Sequence, residues 1–105
     1  SSCFFVLVLK RPDPFFDVLG GQSRKDIFLA LDMLNRECWA TYHHRSGRRR
    51  TVYVSPGNTP AAMLASFQVW ERCGSPQVEK VASRVIIFLK QYFSAEMEPK
   101  AADSG

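Results

Sequence analysis

The chain has 105 residues, 46% of them hydrophobic and 23% charged, with 14 basic and 10 acidic side chains. That size and balance describe one globular domain with a single core and exclude a disordered or fibrous chain. No apolar run approaches the ~20 residues of a membrane-spanning helix. The three cysteines, Cys3, Cys38 and Cys73, form neither a CxxC pair nor an even disulfide set, which points to a reducing, intracellular setting.

Taken in chain order, residues 3–10 are rich in β-branched and aromatic side chains and predict a first strand. Seven of these residues in a row are apolar, as in the core of a signal peptide, but no basic segment precedes them and Lys10-Arg11 follows at once, so a buried strand is the better reading. Phe4, Val6 and Val8 then face one side and Phe5, Leu7 and Leu9 the other, which leaves both faces apolar and calls for a cover on each. A start at Ser1 rather than Met fits a processed chain or an excised domain. Arg11-Pro12-Asp13-Pro14 predicts a turn, residues 15–19 a second strand, and Gly20-Gly21 its end.

A helix is expected next. Ser23 is its N-cap with Asp26 at N3, and Ile27, Ala30, Leu31 and Leu34 recur on one face. Residues 38–44 predict a third strand, Arg45-Ser46-Gly47-Arg48 a hairpin turn, and residues 50–54 the returning strand. Thr59 caps a second helix that opens on Pro60, with Met63, Leu64, Phe67 and Trp70 as its stripe. Gly74 ends that helix, and Ser75-Pro76 starts a third whose stripe is Val78, Val81, Ala82, Val85, Ile86, Leu89 and Phe93.

The expected fold is therefore α+β: a four-stranded, mostly antiparallel sheet in a ββα–ββα arrangement with an additional C-terminal helix. It would occupy residues 1–95 as a single domain, and the small and charged residues 96–105 would form a flexible tail.

Charge is distributed unevenly. Between Glu37 and Glu71 there is no acid, and this stretch holds Arg45, Arg48, Arg49 and Arg50, so it carries the whole net charge of +4 while the rest balances, ten against ten. Four guanidinium groups on a basic hairpin, with His43 and His44 beside them, make an anion site: planar, permanently charged and suited to paired contacts with phosphate. Trp39, Tyr42 and Tyr53, with Phe4, are candidates for stacking unpaired bases or for an interface.

Signs of catalysis are weak. No phosphate-cradling glycine loop is present. The two adjacent histidines do not converge on a metal with any third and fourth ligand, and the acids are scattered. The sequence thus reads as a small non-enzymatic basic binding module without cofactor or metal. Its expected partner is nucleic acid or an acidic protein surface. The alternative is an assembly subunit that homodimerises or docks into a larger protein complex through an apolar sheet face and the amphipathic C-terminal helix.

Overall fold

The computed structural model describes residues 2–46 and 59–97, and every element among them is a helix: α1 (Ser2–Lys10), α2 (Pro12–Leu19), α3 (Arg24–Ser46), α4 (Pro60–Cys73), α5 (Pro76–Tyr92) and α6 (Ser94–Met97). No strand occurs among the described residues, which overturns the four-stranded α+β sheet, the ββα–ββα repeat and the basic hairpin.

Each correction has a local physical cause. Residues 3–10, expected as a strand, lie in α1. A segment that is apolar almost throughout satisfies a period of 2 and a period of 3.6 equally, so alternation cannot decide between them. Packing decides: Phe5 and Val8, spaced as i and i+3, are buried, while Val6 and Leu7 are exposed. Residues 11–19, expected as a turn and a second strand, give α2 instead. Pro12 and Pro14 fall in its first turn, where a missing N–H costs no intrahelical bond.

The expected third strand, residues 38–44, continues α3 without a break. No Gly or Pro stands between Arg24 and Ser46, and the buried series Ile27, Leu31, Leu34 and Cys38 carries the helical spacing past the point where a strand was expected to begin. Arg45 and Ser46, expected in a hairpin turn, are the last two residues of this 23-residue helix. Gly47, Arg48 and the expected strand at residues 50–54 lie outside the described residues.

Three helix starts are built as their sequences suggest. The Ser23 hydroxyl accepts from the Asp26 N–H at 3.2 Å, Thr59 from Ala62 at 3.1 Å, and Ser75 from Val78 at 3.3 Å. Each such cap satisfies a backbone donor that the first turn otherwise leaves without a partner, worth about 1 kcal/mol. Gly74 closes the corner between α4 and α5: a Cβ there would sit 2.6 Å from Val78 Cγ1 and 2.7 Å from the Trp70 carbonyl oxygen.

α5 is the hub of the core. It packs most extensively on α4 and also meets α1, α2 and α6. Val78, Val81, Ala82, Val85, Ile86 and Leu89 are all buried, against Met63, Phe67 and Trp70 of α4 in the same core. Burying an aliphatic or aromatic side chain of this size is worth about 1.5–3 kcal/mol. The stripe of the long C-terminal helix is therefore consumed inside the molecule.

The start of α3 is tied to the far end of α5. Arg24 donates to the Tyr92 carbonyl oxygen at 2.8 Å, pairs with Glu96 of α6, and lies 4.4 Å from the centroid of the Phe93 ring.

Candidate functional site

The predicted site residues fall into three places. Trp39 and Tyr42 lie on α3 and meet Trp70 of α4. The Trp39 and Trp70 ring centroids are 4.5 Å apart at 64°, those of Tyr42 and Trp70 5.9 Å apart at 68°, and those of Trp39 and Tyr42 6.3 Å apart at 89°. Mutual edge-to-face geometry of this kind adds to the burial energy of the rings.

Beneath the rings runs a polar network that sequence reasoning missed. The Trp70 indole N–H donates to Asn35 Oδ1 at 3.0 Å, the Ser66 hydroxyl donates to the same oxygen at 2.7 Å, and the Trp39 indole N–H donates to Ser66 Oγ at 3.3 Å. Asn35 is fully buried and its oxygen takes two donors, while its Nδ2 has no partner among the described residues. The sequence did carry a signal: Asn35 is a polar residue inside an apolar helical stripe, between Leu34 and Cys38. A buried amide persists in a core when its hydrogen bonds are made there.

Cys38 lies at the same crossing and is buried. Desolvation by its surroundings, with a smaller contribution from the Glu37 charge, pushes its thiol pKa up to about 12. The thiolate is the nucleophilic form, so at neutral pH Cys38 is a packing residue. Cys73 differs: it is exposed, and its thiol donates to the Val69 carbonyl oxygen at 3.0 Å. Both cysteines line a cavity of about 390 Å³ with Tyr42, Trp70 and Val78.

The second place is the basic segment. Arg45 occupies the end of α3, with His43 and His44 in its last turn and a half. Arg48, Arg49, Arg50 and Tyr53 lie outside the described residues.

The third place is Phe4, far along the chain from the other aromatic candidates. Its ring partner is Phe15 of α2, at 5.7 Å and 74°. Phe4 also lines a groove of about 550 Å³ between α1 and α2, together with Leu7, Val8, Phe15 and Val18, with Lys10 and Arg11 beside them. Of these, only Phe4 was singled out by sequence reasoning.

No helix among the described residues is long and apolar enough to cross a membrane. Compared with models of protein families, with curated proteins and with solved structures, the chain matches none.

Proposed function

We propose that this chain is a small non-enzymatic binding module of a reducing, intracellular compartment, and that it engages an anionic partner, nucleic acid first, through Arg45 at the end of α3 and the arginines that follow it. The observation that carries this reading is the charge distribution. Arg45, Arg48, Arg49 and Arg50 hold the entire net charge of +4 inside a stretch, from Cys38 to Trp70, that has no carboxylate to neutralise it.

The helical frame supports the reading in one respect. The two helices that this stretch joins are held together by Asn35, Ser66, Trp39 and Trp70, and recognition segments act from connections that a rigid scaffold positions. Guanidinium groups grip phosphate oxygens in pairs, and each phosphate neutralised releases counterions, so binding weakens steeply with salt. His43 and His44 add ring N–H donors next to the cluster. An acidic protein surface would use the same residues and is the competing partner.

The test is the salt dependence of binding to a mixed-sequence oligonucleotide, measured by fluorescence anisotropy on the full chain and on the combined variant Arg48→Ala, Arg49→Ala, Arg50→Ala. Loss of three phosphate contacts should flatten the slope of log affinity against log salt by about 2–3 units. An unchanged slope overturns the nucleic-acid reading.

A further inference from the structure

We propose that the groove between α1 and α2 is a docking site for an amphipathic helix of a partner protein, with acidic residues flanking its apolar stripe. This goes beyond the anion-binding reading and involves none of the same residues.

Leu7 is 67% exposed and Val18 64%, the two most exposed large hydrophobic side chains among the described residues. Leu7 and Val18 stand beside a groove that also takes in Phe4, Val8 and Phe15. At about 550 Å³ it falls inside the roughly 300–1,000 Å³ range of binding pockets. Two short helices joined at Arg11 form its walls, and a trough of this kind accepts the i, i+4, i+7 side chains of a third helix.

Charge selects the occupant. Lys10 and Arg11 are the charged residues lining the groove, and neither is paired with a carboxylate among the described residues. The acids of α2 do not neutralise them: Asp13 pairs with Arg84 of α5, and Asp17 does not line the groove. A ligand that fills the apolar floor therefore gains by presenting carboxylates to this end.

The same two cations argue against a second copy of this chain. In a two-fold contact each protomer offers the same patch, and the residues lining this one include Lys10 and Arg11 but no carboxylate, so a second copy lacks the charge complement the groove calls for.

The experiment uses the full chain and two labelled synthetic helical peptides of about sixteen residues. Both carry leucines at i, i+4, i+7 and i+11; one has glutamates flanking the stripe and the other lysines. The glutamate peptide should bind saturably and at least about tenfold more tightly than the lysine peptide. Leu7→Ser with Val18→Ser should weaken it about tenfold or more. Lys10→Glu with Arg11→Glu should reverse the preference between the peptides, a readout that mere damage to the fold would not produce.

Equal binding of the two peptides, or no saturable binding of the glutamate peptide, overturns the proposal. Two further outcomes also overturn it in favour of other occupants. One is tighter binding to vesicles of mixed phosphatidylcholine and phosphatidylserine that is lost in Leu7→Ser with Val18→Ser. The other is a dimer in sedimentation that the same double variant dissolves.

Discussion

The crossing of α3 with α4 and the face shared by α1 and α2 are both rich in aromatic and aliphatic side chains, yet they end in opposite states. At the crossing, Trp70 is buried, Trp39 is half-buried, and their indole N–H groups end on Ser66 and Asn35. On the α1–α2 face, Leu7 and Val18 stay in water beside Lys10 and Arg11, which have no carboxylate partner among the described residues. The difference lies in what each helix has to pack against. α3 sets its crossing residues against α4, whereas α1 meets α2, α3 and α5 and buries Phe5 and Val8, and α2 meets α1 and α5 and buries Leu19, which leaves Leu7 and Val18 on the remaining sides. Burial is thus decided by the neighbour that a helix finds, and apolar content alone does not predict it. An apolar surface left without a neighbour in a small domain is the more informative of the two about partners.

Trp70→Ala should break the comparison at its more ordered end. It removes the ring on which Trp39 and Tyr42 pack and one of the two donors to Asn35 Oδ1. Truncation of a buried Trp costs about 3–5 kcal/mol, a large share of the 5–15 kcal/mol of a typical domain. Urea denaturation followed by far-UV circular dichroism measures it. A loss below ~1 kcal/mol would mean that the crossing is not a fixed part of the fold.

Cys38 sharpens the same end through pH. Its folded pKa, raised to about 12 by burial and then by Glu37, stands above the ordinary thiol value of about 8.5 in the unfolded chain. Below the unfolded value both states keep the proton and the stability is fully present. As pH rises above it, the unfolded chain releases a proton that folded Cys38 retains, so stability falls by up to about 1.4 kcal/mol per pH unit until the folded pKa is reached. Other groups titrate in this range, so the quantity to measure is the difference between wild type and Cys38→Ala from pH 8 to pH 10. That difference should shrink with pH, and a constant difference would show that the thiol is not desolvated.

What the sequence disclosed follows from the same contrast. The starts of α3, α4 and α5 were legible because Ser23, Thr59-Pro60 and Ser75-Pro76 are capping signals whose hydrogen bonds are local, and the stripes of α4 and α5 were legible because polar residues interrupt them at helical spacing. α1 was not legible, because residues 3–9 carry no polar residue to reveal a period. The second half of α3 was misread because Trp, Thr and Tyr favour strands in isolation, while the core contact of Cys38 and Trp39 belongs to tertiary structure. The site was legible in part. Residue type picked out Trp39 and Tyr42, which meet at Trp70, and Phe4, which lies apart from them on α1, while Arg48, Arg49 and Arg50 lie outside the described residues. Asn35, Ser66 and the α1–α2 groove emerge only when distant segments are brought together.

The smallest expected effect tests the open end of the comparison, and it does so within one turn of one helix. Phe5 is 6% exposed and Leu7 is 67% exposed, two residues apart on α1. Phe5→Ala should cost about 3–5 kcal/mol by leaving a cavity in the core. Leu7→Ser, alone or with Val18→Ser, should stay within about 0.5 kcal/mol of wild type, because the side chain removed is already in water in the folded state. A gain in solubility with no loss in the denaturation midpoint is the expected outcome. If Leu7→Ser instead costs 2 kcal/mol or more, another part of the same chain covers the groove, and α1 and α2 are core on both sides after all. The docking surface would then be an internal contact, and the contrast between the two regions would disappear along with it.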